Sequence, residues 1–108
     1  MSSSQMLKGI LDGCLLGIIS KGETYGYEMI EKLEIYGFRM VSEGSIYPVL
    51  MRLQKEGFVQ SVMKESPSGP KRKYYTLTAA GQEEYEQFKT RWESLSDSVN
   101  RLVKEENE

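Results

Sequence analysis

The side chains that could recognise another molecule are concentrated in two short stretches of this sequence. Residues 42–57 bring small, aromatic and basic groups together: Gly44, Ser45, Tyr47, Pro48, Arg52 and Lys55. The second stretch, Lys71-Arg72-Lys73, is the densest basic cluster in the chain. Arginine and lysine contact phosphates, and arginine also hydrogen-bonds the edges of bases. The chemistry that these residues offer is binding in a nucleic-acid groove rather than catalysis.

The first stretch has the pattern of a short helix with one buried face. Four apolar residues recur at i, i+3, i+4 and i+7, namely Ile46, Val49, Leu50 and Leu53. Because proline is tolerated near a helix start, Pro48 places the N-cap within residues 42–45, and Gly57 is a natural end. The outer face then carries the polar and basic groups. The alternative is a core helix whose outer face is merely solvated.

The composition gives little support to metal, disulfide or nucleophile chemistry. The chain has 108 residues, no histidine and a single cysteine, Cys14. It cannot form an internal disulfide, and a nitrogen–sulfur metal site would have almost no ligands. Cys14 lies on an apolar stripe, which favours a small buried hydrophobe over a reactive thiol. We therefore predict no enzymatic activity, no cofactor and no metal site.

Charge is distributed unevenly along the chain. Residues 1–78 carry ten Lys and Arg against eight Asp and Glu, and residues 79–108 carry four against eight. Any nucleic-acid surface should therefore lie in the first part, which we expect to be one domain, with 79–108 appended to it. No apolar run reaches the ~18 residues of a membrane span. The cysteine usage fits a reducing cytoplasm, so we predict a cytoplasmic protein without a membrane partner.

Two helices are predicted before the central one. We expect Met1 to Gln5 to be a loose tail, followed by a helix with a wide apolar stripe from Leu7 to Ile19. Thr24 can cap a second helix that runs from Tyr25 to about residue 36. Gly26 in its first turn indicates either the close approach of another group or a frayed start. Residues 38–41 form a connector, and three short helices with tight turns suggest a helix-turn-helix.

A β-hairpin is predicted directly after the central helix. Residues 58–65 and 71–77 are rich in β-forming side chains, and the Ser-Pro-Ser-Gly-Pro sequence at 66–70 is typical of a turn. The Lys71-Arg72-Lys73 cluster then lies at the tip of this hairpin. A basic hairpin beside a recognition-type helix indicates a wing, and the fold class is mainly α (α+β).

The last segment has the pattern of a long helix that needs a partner. Thr78 can cap it, and its apolar residues form a narrow seam with alternating spacings of three and four: Tyr85, Phe88, Trp92, Leu95, Val99 and Leu102. The expected partner is the same helix of a second copy, either alone or together with the first helix, which gives a two-fold homodimer. Alternatively, Trp92 and Phe88 could stack on a small aromatic effector.

The order of these motifs resembles the PadR family of bacterial transcriptional regulators. The resemblance rests on Tyr25-Gly-Tyr-Glu28, on Gly44-Ser-Ile-Tyr-Pro48 and its continuation to Gly57, and on the segment from Lys73-Tyr-Tyr75 to Gly81. It extends from about Leu7 to Leu102, and the length is similar to that of the short subfamily with one C-terminal helix. The resemblance implies a winged helix-turn-helix dimer that usually represses transcription.

The resemblance also implies roles for individual residues. Gly44, Ser45, Tyr47 and Pro48 match the part of the central helix that enters the major groove. Thr24 and Tyr25 match the start of the second helix, near the DNA backbone, and residues 71–73 match the wing. Trp92 aligns with a tryptophan that binds multidrug-like aromatics in some short members, and Arg91 and Phe88 are its bulky neighbours here.

These observations predict a homodimer that binds a double-stranded, pseudo-palindromic operator sequence-specifically. The half-sites should lie on the order of 34–36 Å apart, which is one helical turn. Arg52 is expected to contact a base or a phosphate, and Lys55 a phosphate. Release by a small aromatic effector is a second hypothesis. The rival interpretation is a winged-helix module that binds proteins and not DNA, which the acidic overall balance would favour.

Overall fold

The computed structural model describes residues 2–39 and 41–105, in which five helices and three strands follow one another. The elements are α1 Ser3–Leu7, α2 Leu11–Ser20, β1 Thr24–Tyr25, α3 Gly26–Ile35, α4 Glu43–Lys55, β2 Val59–Glu65, β3 Lys71–Leu77 and α5 Ala79–Glu105. The predicted hairpin and the helices at α3, α4 and α5 are confirmed. Met1 of the predicted tail, Met40 of the predicted connector and residues 106–108 of the predicted appended segment lie outside the described residues.

The sheet is antiparallel, with the strand order β1-β3-β2. The long hairpin pairs Val59 with Leu77 at one end and Glu65 with Lys71 at the other. Its turn is closed by the N–H of Ser66, which donates to the carbonyl of Pro70 at 3.1 Å. Gly69 in that turn has a φ of 104°, which favours glycine. The hairpin is therefore closed by a tight turn at its far end, whereas Val59 and Tyr75 nearer its other end are buried in the core.

Strand β1 was not predicted, and it corrects the role assigned to Thr24. Thr24 pairs with Tyr75 and Tyr25 with Tyr74, so the chain enters the sheet before α3 begins. The N-cap of α3 is Tyr25 rather than Thr24. The Thr24 hydroxyl instead donates to the Glu28 carboxylate at 3.1 Å. A strand of two residues has no periodicity, so sequence pattern could not indicate it.

The N-terminal segment also differs from its prediction of a loose tail and one continuous helix. The Ser2 hydroxyl accepts from the N–H of Gln5 at 3.2 Å, and the Ser2 N–H donates to the Gln5 side chain at 2.9 Å. This capping box begins the short helix α1. A turn through Gly9, a poor helix former, then separates α1 from α2.

The core lies among α2, α3, α4 and the adjoining end of the sheet. Its fully or nearly fully buried side chains include Leu15, Leu16, Ile19, Met29, Leu33, Ile46, Leu50, Leu53, Val59 and Tyr75. The four residues predicted as the inner face of the central helix are all buried. Cys14 is half-buried beside this core, and its burial raises the pKa of the thiol. Burial therefore favours the neutral thiol over the reactive thiolate.

Helix α5 is fixed at its first turns and protrudes beyond them. The Gly81 N–H donates to the Thr78 hydroxyl at 3.0 Å, and that hydroxyl donates to the carbonyl of Gly57 at 2.6 Å. Farther along, the rings of Phe88 and Tyr85 lie against the backbone of α2. A helix of 27 residues is about 40 Å long, and the described chain measures 56 × 27 × 20 Å. Within the described ranges, no helix combines the length and apolar character needed to cross a bilayer.

Candidate nucleic-acid interface

The exposed side of α4 begins with small residues that leave the backbone accessible. Ser42 is the N-cap, and its hydroxyl lies 3.2 Å from that of Ser45. A Cβ added at Gly44 would meet only the Ser42 hydroxyl, at 3.7 Å, so the surface here is open. Small residues at a helix N-terminus let N–H groups approach a phosphate. The structure therefore places Gly44 and Ser45 where the sequence predicted, at the start of the exposed face.

Pro48 lies deeper in the helix than predicted. Because α4 begins at Glu43, Pro48 is in the second turn rather than the first. A proline at this position has no N–H to give to the carbonyl four residues earlier, which is that of Gly44. The N-cap, Ser42, falls inside the predicted range, and Pro48 is close to the helix start but one turn beyond the positions where a proline costs least.

Tyr47 joins α4 to the beginning of α3 and explains Gly26. A Cβ added at Gly26 would lie 2.6 Å from the Tyr47 hydroxyl oxygen and about 3 Å from its ring. Gly26 is therefore small because the Tyr47 ring packs over it, which selects the first of the two alternatives raised for this glycine. Tyr47 remains 42% exposed, so its outer side is still available to another molecule.

The wing and α4 meet in one cleft of about 360 Å³. Its lining combines the start of α3, the middle of α4 and the outer half of β3: Tyr25, Gly26, Tyr47, Met51, Lys71, Arg72, Lys73 and Tyr75. Lys71 and Lys73 are exposed, whereas Tyr75 is buried at 4%. Burial, together with the nearby Tyr47, raises the pKa of the Tyr75 phenol. The cleft thus has a neutral aromatic floor and a basic edge.

Arg52 is not free on the surface of α4. Its guanidinium Nη2 donates to both oxygens of Asp12 in α2, at 2.6 and 2.7 Å, and its Nε lies 4.0 Å from Glu56. The hydrogen bond that Arg52 donates to Asp12, and then the negative charge of Asp12, raise the pKa of Arg52. Lys55, one turn away from Arg52, forms no ion pair within the described ranges. The two predicted cations of α4 therefore differ in how readily they can reach a ligand.

The residues assigned to the start of the second helix separate into one buried and one surface position. Thr24 is fully buried, so its side chain cannot meet a ligand in this conformation. The Tyr25 ring packs edge-on against Tyr74, with ring centres 5.2 Å apart. The guanidinium carbon of Arg72 lies 4.9 Å from the centre of the Tyr25 ring. Tyr25 thus contacts the wing as well as lining the cleft.

Sequence reasoning gave no role to Met51 and Lys64, which also lie at this surface. Met51 is 72% exposed on α4 and lines the cleft, and the helical period had already placed it on the outer face. Lys64 of β2 pairs with Glu23, and its amino group lies 4.8 Å from the Tyr74 ring centre. No sequence signal links Lys64 to Glu23, because they are 41 residues apart.

The predicted α5 seam divides into two parts. Phe88 and Tyr85 pack against α2 of the same chain, where a Cβ added at Gly13 would lie 2.2 Å from the Phe88 ring. The remaining seam residues are 44–65% exposed: Trp92, Leu95, Val99 and Leu102. Contrary to the expectation that the whole seam faces a partner, its first two residues hold α5 on its own domain.

Within the described ranges, no group of three or more His, Cys, Asp or Glu residues could hold a metal ion.

Three packed helices followed by a basic hairpin define a winged helix-turn-helix protein. A sequence model of the transcriptional regulator PadR-like family matches residues 15–87, and the chain belongs to this family. The crystal structure of a PadR-like transcriptional regulator from Bacillus cereus strain ATCC 14579 is 55% identical. It superposes with a TM-score of 0.83 over 92% of this chain and 96% of that one.

Two further comparisons concern PadR of Bacillus subtilis. A crystal structure of that protein in complex with operator DNA is 32% identical, with a TM-score of 0.64, over 73% of this chain and 46% of that one. In sequence, the negative transcriptional regulator PadR of strain 168 is 30% identical over 92 residues, which is 83% of this chain and 50% of that one. This chain therefore spans about half the length of that relative. The family match and the operator-bound structure together identify it as a PadR-family regulator with a DNA-binding winged helix.

Proposed function

We propose that this regulator binds a pseudo-palindromic operator as a homodimer and represses transcription from it. The observation that carries the proposal is the cleft in which the exposed face of α4 meets Lys71 and Lys73 of the wing. Residues 1–78 would form the DNA-binding domain, and residues 79–108 the dimerisation segment. A regulator of this kind acts where the bacterial chromosome lies, in the cytoplasm.

The proposed contacts divide between base edges and phosphates. Gly44, Ser45, Tyr47 and Pro48 enter the major groove at the start of α4, with Met51 beside them. Lys55, Lys71 and Lys73 neutralise phosphates on either side of the groove. The operator-bound relative from Bacillus subtilis supports this arrangement, because its fold superposes on most of this chain. That relative is a negative transcriptional regulator, which supports repression.

The exposed half of α5 is the proposed dimer interface. Four large apolar side chains follow one side of the helix without cover, beginning at Trp92 and ending at Leu102. A narrow seam with spacings of three and four is typical of helices that pair. Pairing two copies about a two-fold axis would present two α4 helices to successive major grooves, on the order of 34 Å apart. Tyr85 and Phe88 would transmit that geometry by fixing α5 on α2.

A small aromatic effector between the paired α5 helices is a further part of the proposal. Trp92 is 44% exposed, and Phe88 lies one turn before it. An indole ring offers a planar apolar face on which an aromatic ligand can stack. A ligand at this position would bias the spacing of the two recognition helices and so change operator affinity.

The experiment that tests the dimer introduces one charge into the seam. We expect Leu95→Glu to produce a monomer in analytical ultracentrifugation, because two carboxylates would face each other at the interface. Operator affinity should fall by about 100-fold or more, because the two half-sites no longer cooperate. Asn100→Glu is the matched control, since it adds the same charge at an exposed position outside the seam. A Leu95→Glu protein that remains dimeric and binds as the wild type does would contradict the proposed interface.

A protein-binding module without DNA affinity is the rival function, and its test is independent. The dimer should shift both random and operator DNA at low salt, with the operator bound more tightly. A dimer that shifts neither at low salt would exclude the proposal and favour the rival. Selection of bound sequences from random DNA should give an inverted repeat.

A further inference from the structure

The basic cluster of the wing is divided by the geometry of its strand. Successive side chains of a β-strand point to opposite faces. Lys71 and Lys73 therefore lie on the face of β3 that carries Tyr75, and both are exposed at the cleft. Arg72 leaves the strand on the other face, opposite Lys64 of β2, and is half-buried, although part of it also borders the cleft. Three cations in a row thus have two different environments.

The face that carries Arg72 is a ladder of cations and aromatic rings. Tyr25 and Tyr74 contact each other edge to face, with an angle of 74° between the rings. The Arg72 guanidinium lies over Tyr25 at 4.9 Å, and the Lys64 amino group over Tyr74 at 4.8 Å. Both distances are within the range of a cation–π contact. Lys64 also pairs with Glu23, so both strands of the hairpin are tied to the segment that precedes α3.

The Nε atom of Arg72 supports a contact with the Tyr25 ring rather than with a phosphate. Its Nε is buried and has no hydrogen-bond partner among the described residues. With Nε buried, the guanidinium cannot use the N–H groups on that edge to bind a phosphate through two parallel hydrogen bonds. Tyr25 is also the N-cap of α3, so its ring is fixed where the helices meet the sheet. The Arg72–Tyr25 contact therefore joins the wing to the helical domain.

We propose that Arg72 is a positioning residue: its contact with Tyr25 holds the wing so that Lys71 and Lys73 reach the DNA backbone. This inference rests on the proposed DNA-binding function and revises the role of one residue in it. Arg72 itself does not neutralise a phosphate. The phosphate contacts of the wing are therefore two per subunit rather than three.

The test compares the salt dependence of operator binding in two neighbouring variants. Each phosphate contact contributes about 0.9 to the slope of log affinity against log salt, so Lys73→Gln should lower the slope by about 1.8 per dimer. Arg72→Gln should weaken binding roughly 3- to 10-fold, because the loosened wing must be ordered when it binds. The slope should stay unchanged, because Lys71 and Lys73 still meet the phosphates once the complex has formed. An Arg72→Gln slope that falls as far as that of Lys73→Gln would overturn the proposal.

A double-variant cycle identifies Tyr25 as the partner. Tyr25→Leu should weaken operator binding by the same factor as Arg72→Gln, and the double variant should be no weaker than either single variant. Arg72→Lys should restore most of the affinity, because an ammonium group can also lie over the ring. Multiplicative effects in the double variant would show that the two residues act separately, and would exclude the proposal.

A measurement without DNA separates this inference from the proposed function. In the free protein, Arg72→Gln and Tyr25→Leu should both accelerate amide hydrogen exchange across residues 71–77, whereas Lys73→Gln should not. If the wild type binds no DNA but this pattern appears, the proposed function fails and the wing contact stands. If operator binding is normal and exchange is unaffected by Arg72→Gln, the wing contact fails alone.

Discussion

At the scale of single residues, Arg52 shows that a cation on the exposed face of α4 is not automatically available to a ligand. Both oxygens of Asp12 already accept hydrogen bonds from its guanidinium, and Glu56 lies on its other side. To bind a phosphate through the same Nη2 and Nε groups, the guanidinium would have to leave these carboxylates. We therefore expect Arg52 to contribute little to the salt dependence of the wild type.

The variant Asp12→Asn tests this expectation. It removes the charge that holds Arg52, so the guanidinium can turn towards the DNA. The salt slope should then become steeper by up to about 1.8 per dimer, and affinity at low salt should rise. Salt titrations of operator binding measure both quantities. Asp12→Asn combined with Arg52→Gln should return the slope to that of the wild type; an unchanged slope in Asp12→Asn alone would place Arg52 beyond the reach of phosphate.

Single residues also show which features of the candidate site could be predicted from the sequence and which could not. Helical spacing placed Tyr47 and Met51 on the outer face of α4, because that depends only on local geometry. The pairing of Arg52 with Asp12 spans 40 residues and depends on how α2 packs on α4, which no local pattern encodes. The division of the basic cluster into opposite faces follows from strand alternation. The Tyr25 ring beneath Arg72 could not be predicted, because β1 places it there and β1 was not predicted.

At the scale of elements, the direction of α5 at its start depends on a close contact between the backbones at Gly81 and Phe58. A Cβ added at Gly81 would lie 1.8 Å from the carbonyl oxygen of Phe58. That oxygen also accepts from the N–H of Thr78 at 3.1 Å, so it cannot move without loss of this bond. The close approach of two backbones sets the direction in which α5 leaves the domain.

Gly81→Ala should therefore destabilise the protein, although alanine normally stabilises a helix by about 1 kcal/mol relative to glycine. The overlap with a backbone atom should reduce the free energy of unfolding by roughly 1–3 kcal/mol. Urea denaturation measures the change. Gly9→Ala is the matched control, because a Cβ at Gly9 meets nothing within 4 Å. A Gly81→Ala protein as stable as the control would contradict the close approach.

Long periodic patterns predicted α4, α5 and most of α2 correctly, whereas the short elements α1 and β1 were not predicted. Helix α4 and the hairpin have strong signals, because buried faces and turn residues repeat within a few positions. β1 exists because Thr24 and Tyr25 pair with the distant β3, and α1 exists because Ser2 and Gln5 cap each other. Pro48 lies in the second turn because the helix begins at Glu43, before the small residues Gly44 and Ser45.

At the scale of the whole molecule, α5 consists of two parts with different surroundings, although its sequence pattern shows one continuous seam. Its first part, with Tyr85 and Phe88, is anchored in the domain by contact with the two glycines of α2, Gly13 and Gly17. Its later part is exposed from Lys89 onward apart from a half-exposed Ser96. Spacing alone could not reveal the division, because a seam residue has the same pattern whether its partner is the same chain or a second copy.

The link between α5 and α4 through α2 leads to a prediction for effectors. Planar aromatic cations that stack on Trp92 should quench its fluorescence, and the signal is specific because this is the chain's single tryptophan. Because coupling between two sites is reciprocal, a ligand that weakens operator binding by some factor must itself be bound more weakly, by the same factor, when operator is present. Fluorescence titrations with and without operator measure both factors.

Trp92→Leu provides the control for this coupling. The operator affinity of this variant should no longer respond to the ligand, provided that ultracentrifugation shows it still dimeric. Quenching in the wild type without any change in operator affinity would mean that the ligand stacks but does not regulate. If a chemically diverse set of planar cations gives no quenching, Trp92 is a packing residue of the dimer and the effector hypothesis is wrong. Either outcome would leave the cleft between α4 and the wing unaffected, because Trp92 is not among the residues that line it.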